Sequence, residues 1–155
     1  MESLLLIRIN TPNRKCMTAI FHQFTPTELY IGIVQPANIT DQNQPEPPTL
    51  GFHPTGCGFL DAFVANVHNH GVHTTAYHAH LMGVSKTELC FTVLTLTGMS
   101  FTDFTDAYIL LLAKDLMEDK KNDLKFVAQR LGFGSYSGFY RFIIRKKKEK
   151  PSWLK

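Results

Sequence analysis

The chain has 155 residues, 44% of them apolar and 19% charged, a balance that excludes wholesale disorder and suits one compact domain with or without an arm. Its longest apolar runs, residues 107–113 and 4–7, are too short to span a bilayer, and Glu2 ahead of the second argues against a signal peptide. The net charge of +3 hides a division: residues 1–119 carry 5 Lys/Arg against 11 Asp/Glu, or −6, and residues 120–155 carry 11 against 2, or +9.

Residues 4–9 and 29–34, rich in Leu and Ile, read as two short strands of an N-terminal arm. Residues 36–54 are dense in Pro, Asn, Gln and Thr and read as an extended linker, so the arm and linker together take residues 1–56. No proline follows from residue 55 to residue 150, which marks a helical block, and the second domain is residues 57–155. Its first helix is expected at residues 58–70, with Phe59, Phe63 and Val67 on one face. A helix at 74–82 follows. Ser85 then caps a third, with Glu88 completing a capping box, and Gly98 ends it. Ser100 caps a long helix reaching residue 118, whose apolar side carries Phe101, Phe104, Tyr108, Leu111, Leu112 and Leu116. Asp123 caps a fifth helix that buries Leu124, Val127, Ala128 and Leu131. Ser135 caps a sixth, with Phe139, Phe142 and Ile143 inward. Pro151 opens a final turn carrying Trp153 and Leu154, a seventh helical element.

Two segments share one arrangement. A short helix bearing an alanine near its end (Ala79, Ala128) meets a turn with glycine, and a second helix then opens on serine (Ser85, Ser135). A small alanine lets two helices cross closely, and glycine permits the sharp turn. This is helix-turn-helix geometry, in which the second helix enters the DNA major groove. The expected fold is therefore mainly α: two helix-turn-helix subdomains joined by a long linker helix, with a short β arm in front.

The segment LKFVAQRLGFGSYSGFYRFIIRKKKEKPSWLK resembles the C-terminal signature of AraC/XylS-type transcription regulators. The matching residues are Val127, Ala128, Gly132, Phe133, Ser135, Phe139, Arg141, Arg145, Lys146, Pro151, Leu154 and Lys155. Upstream, GVSKTEL, TGMSFTDF and LLLAKDLM resemble that family's first motif and linker helix, so the likeness covers residues 58–155. It implies a bacterial regulator of transcription. Departures lie at Phe91 and Ile109, where the family carries Arg, at Val93, where it carries an aromatic, at Thr75 and His78, where it is apolar, and at Lys148, where it has glycine.

On the second motif, Tyr136, Ser137, Tyr140 and Arg141 lie outward and match the family's base-reading positions. Arg141 suits guanine O6 and N7. Ser135, at a helix N-terminus, and Arg145, Lys146, Lys147 and Lys148 suit phosphates. On the first motif Lys86, Thr87 and Cys90 are the outward base-reading candidates. Phe91 is either a contact to a thymine methyl or, the preferred reading, a core residue. The expected partner is double-stranded DNA. RNA polymerase and, through residues 1–56, a second copy of the chain are further candidates, and a membrane is not.

His68, His70, His73, His78 and His80 cluster within 13 residues, but their i,i+2 pairs diverge on a helix. A polar surface is favoured over a metal site. Cys16, Cys57 and Cys90 form neither a disulfide framework nor a metal signature, which makes the cytoplasm the simplest location. No catalytic motif is present and no cofactor is implied. Asp103, Asp106, Asp115, Glu118 and Asp119 read as the solvated side of the linker helix. The alternative function is a degenerate helix-turn-helix module that binds protein rather than DNA, which the missing cations at Phe91 and Ile109 favour.

Overall fold

The computed structural model describes residues 5–9, 17–33 and 51–149. Two strands, β1 (Leu5–Ile9) and β2 (Met17–Phe21), pair antiparallel with Leu5 opposite Phe21. Seven helices follow among the described residues: α1 (Pro26–Leu29), α2 (Gly58–His70), α3 (Thr75–Met82), α4 (Lys86–Thr97), α5 (Phe101–Glu118), α6 (Leu124–Arg130) and α7 (Tyr136–Glu149). The protein is mainly helical, as its sequence predicts. The expected turn at Pro151 and the side chain of Lys147 lie outside the described residues, as do residues 34–50.

The caps explain the helix starts. Thr74, Ser85, Ser100 and Asp123 each accept a backbone N–H of their own first turn, and Ser85 with Glu88 forms a reciprocal capping box. That box also holds the Glu88 carboxyl below the usual range, through the Ser85 backbone and hydroxyl. The α5 helix is the spine. Phe104, Tyr108, Ile109, Leu112 and Ala113 are buried along it, and it packs against α1, α2, α4 and α6. Phe63 of α2 meets Phe104 at 5.5 Å between ring centres, so one aromatic centre joins the two helices. Each such buried ring contributes about 2 kcal/mol by leaving water.

Of the expected strand at 29–34, the described residues 29–33 do not form one. Thr25 caps a one-turn helix with Pro26 in its first position, and that turn takes in Leu29. Local capping thus overrides the apolar run, and β1 pairs with residues 17–21 instead. Beyond the turn, Tyr30 makes an isolated antiparallel bridge to Phe52, and Ile31 N–H donates to Gly51 O at 2.9 Å. Leu29 and Phe52 are buried in the core of the helical block, at 2% and 3% exposure. Tyr30 Oη donates to Asp115 Oδ2 at 2.6 Å, tying this segment to α5. A Cβ on Gly51 would strike the His68 ring, so only glycine fits there.

The histidine cluster is divided, which corrects the expected polar surface. His70 and His80 are exposed, whereas His68 and His78 are buried. His68 Nδ1 shares a 2.9 Å hydrogen bond with Tyr108 Oη, and burial, aided by Arg130, lowers its pKa. Burial also raises the Tyr108 phenol above its usual range. His78 sits between Phe63 and Phe101, and neither of its ring nitrogens finds a partner at bonding geometry. Burial, with His73 adding to it and the Gly71 backbone partly offsetting, pushes its pKa down to about 4. No group of residues suited to holding a metal ion occurs among the described residues.

The two halves of the block are fastened directly. Val72 N–H donates to Leu131 O at 2.6 Å, and Arg130 donates to His68 O and Asn69 O at the end of α2. Gly71 (φ 74°) and Gly132 (φ 82°) face each other there, and a Cβ on either would meet opposing backbone.

Candidate functional site

The turns of the two helix pairs are built identically. In the first, Val84 N–H donates to Ala79 O and Gly83 N–H to His80 O, both at 3.1 Å, with Gly83 left-handed. In the second, Phe133 N–H donates to Ala128 O at 3.0 Å and Gly132 N–H to Gln129 O at 3.1 Å. These are Schellman closures 49 residues apart. The second turn holds one residue more before its serine, so the helices that follow correspond at an offset of 50. Ser85 accepts from Glu88 N–H, and Ser135 accepts from Gly138 N–H at 3.1 Å.

That offset sets Leu89 opposite Phe139, both buried, and matches the outer faces residue by residue. Lys86 corresponds to Tyr136, Thr87 to Ser137, Cys90 to Tyr140, Phe91 to Arg141, Leu94 to Ile144 and Thr95 to Arg145. All twelve are exposed. The outward residues expected on each helix therefore lie together on one exposed face of that helix.

On α7 that face carries an open groove of about 400 Å³ lined by Tyr140, Arg141, Ile144, Arg145 and Lys148. Phe133, Phe139 and Phe142 support the helix from beneath, with Phe133 at 5.5 Å and 5.2 Å from the other two rings. Arg141 Nε donates to Ser137 O at 3.3 Å, and the Arg145 guanidinium lies 5.9 Å over the Phe142 ring. Both heads therefore rest near the helix surface with exposed side chains, free to meet an anionic ligand. Lys146 differs: it lies inward and pairs with Asp106 of α5 at 3.2 Å.

Residues 78–155 match a family described as a helix-turn-helix domain, of the AraC type. The chain belongs to this family. No curated protein and no solved structure matches it. The AraC-type assignment carries the general role with it: DNA binding and regulation of transcription. No helix among the described residues is long and apolar enough to cross a membrane.

Four expectations about this AraC-type domain change. Phe91 is 70% exposed and is not a core residue. Ile109 is fully buried, so the absence of a cation there says nothing about a binding face. Leu124 is 43% exposed, outside the core it was expected to join. The carboxylates of α5 are not simply solvated either, since Asp106 holds Lys146 and Asp115 accepts from Tyr30. Leu94 and Ile144, apolar and exposed on the outer faces, were missed from the sequence. Their i+4 spacing from Cys90 and Tyr140 was the available signal.

Proposed function

We propose that this chain binds double-stranded DNA sequence-specifically and regulates transcription by occupying its site, with the second helix-turn-helix supplying most of the affinity. The observation that carries this reading is the outer face of α7, where Arg141, Arg145 and Lys148 stand exposed beside Tyr140 around one groove. Arg141 is suited to guanine through two parallel N–H bonds, and Arg145 and Lys148 to phosphates. Tyr136 and Ser137 near the helix start are within the part of a recognition helix that meets base edges. The α4 helix, with Lys86, Thr87 and Cys90 outward, is the second reading element.

The spacing agrees with this. The α5 helix has 18 residues, and at 1.5 Å per residue it is about 27 Å long. Two recognition helices on its flanks could meet major-groove segments about one turn, ~34 Å, apart on one side of the duplex. A cytoplasmic protein is the natural setting for such a role.

Random-site selection with the purified chain, followed by a salt titration on the winner, tests the proposal. Enrichment of one motif with salt-sensitive affinity is expected. Selection of no motif would favour the protein-binding alternative, for which the single Lys/Arg in residues 75–97 speaks.

A further inference from the structure

The outer face of α4 is apolar where that of α7 is basic. Phe91 is 70% exposed and Leu94 50%, with Cys90 exposed beside them. At the 50-residue correspondence, Phe91 takes the place of Arg141 and Thr95 that of Arg145. Lys86 is the one cation of α4. Phe91 and Leu94, three residues apart on one helix, present their apolar side chains to water together. Leu89 and Val93 anchor α4 in the core, and Phe91 takes no part in that packing.

This face corresponds to the one that meets DNA on α7 in the reading proposed above, and an apolar face placed there needs an apolar group to meet. The major groove offers one apolar group on its base edges, the thymine C5-methyl. We infer that α4 reads thymine methyls through Phe91, with Leu94 and Cys90 widening the contact. The half-site under α4 is then thymine-rich and recognised by shape and apolar contact, and the half-site under α7 carries the guanine that Arg141 reads. This rests on the proposed DNA binding and adds the chemistry by which the uncharged helix contributes to it.

Uracil in place of thymine removes the methyl and nothing else, so it isolates the contact. The full chain is titrated against its selected duplex with each thymine replaced in turn. Uracil in one half-site should weaken binding about fourfold per contacted methyl, the worth of one buried methylene. Phe91→Ala should weaken binding to the thymine duplex and abolish that uracil effect, and Arg141→Ala should leave it intact. Both variants alter exposed side chains, and far-UV circular dichroism checks that their helicity is unchanged. A selected duplex indifferent to uracil, or a uracil effect that survives Phe91→Ala, overturns this inference and leaves DNA binding standing. Selection of no duplex overturns both. Self-association lost in Phe91→Ala without any uracil effect assigns the face to a second copy of the chain, and equally overturns it.

Discussion

Lys146 of α7 donates to Asp106 of α5 across 3.2 Å, and each side chain is only 16% exposed. This pair connects α5 to the basic end of α7. It separates one lysine of the run from its neighbours. Arg145 and Lys148 face solvent, while Lys146 already has an anionic partner in a partly desolvated position.

The salt dependence of DNA binding should reflect that separation. Lys148→Gln should make the slope of log affinity against log salt shallower by about 0.9, the release of one phosphate's counterions. Lys146→Gln should change it by less than half as much. Anisotropy titrations in potassium chloride measure both. Equal changes would mean that Lys146 leaves Asp106 for a phosphate on binding.

Division of labour between the motifs has its own test. Arg141→Ala should cost about 1–3 kcal/mol of affinity and relax preference at one base pair, because it removes a two-pronged contact to a base. Lys86→Ala should cost less than half as much, since α4 relies on apolar contact. Competition binding on single-substitution duplexes reads both effects. Equal losses would show that the two helices share the load.

The segment before the helical block is structural. Leu29 and Phe52 are core residues, and Tyr30 reaches Asp115; burial, with the Asp115 hydrogen bond adding to it, raises the Tyr30 phenol far above its ordinary range. Phe52→Ala should destabilise the fold by about 3–5 kcal/mol. Tyr30→Phe should cost about 1–2 kcal/mol by orphaning one carboxylate bond. Urea unfolding followed at 222 nm gives both values. A chain starting at Gly58 that unfolds at the same urea concentration as the parent would refute this.

Buried His78 sets an acid limb. Its folded pKa, about 4, lies below the ordinary 6.5, so the unfolded chain binds the extra proton first as pH falls. The stability it allows is whole above pH 6.5 and drains between there and about pH 4, by about 3 kcal/mol in all. His78→Leu should flatten this limb and, by removing two unpartnered ring nitrogens, stabilise the protein at pH 7 by about 1–3 kcal/mol. Urea midpoints at pH 7 and pH 5 decide it. An undiminished limb in the variant would move the effect to other groups, His68 first, whose pKa is also lowered.

The junction at Gly71 should tolerate no side chain. Gly71→Ala places a Cβ against the Leu131 carbonyl at a positive φ, and should cost more than about 2 kcal/mol and loosen the two motifs from each other. The same unfolding assay measures it, with Gly134→Ala, where a Cβ meets nothing within 4 Å, as the control.

What the sequence determined by itself was local. Ser85, Ser100 and Asp123 set helix starts because a cap is made within one turn, and Gly83 and Gly98 set ends because only glycine takes a left-handed residue without cost. The 3.6-residue period of Phe101, Phe104, Tyr108 and Leu112 likewise marked the buried side of α5. The likeness of the two helix pairs was legible for the same reason, since each turn closes on its own hydrogen bonds. The remaining features depend on neighbours distant in the chain. A histidine between Phe63 and Phe101 reads in sequence like one in water, so the sequence predicts a surface position for His78. Phe91, an aromatic on an amphipathic helix, reads in sequence as core, although its helix is already anchored by Leu89 and Val93. Whether Lys146 faces outward or meets Asp106, 40 residues away, is set by how α5 and α7 cross. No spacing along one helix encodes that crossing, because it is fixed by the packing of both against a shared core.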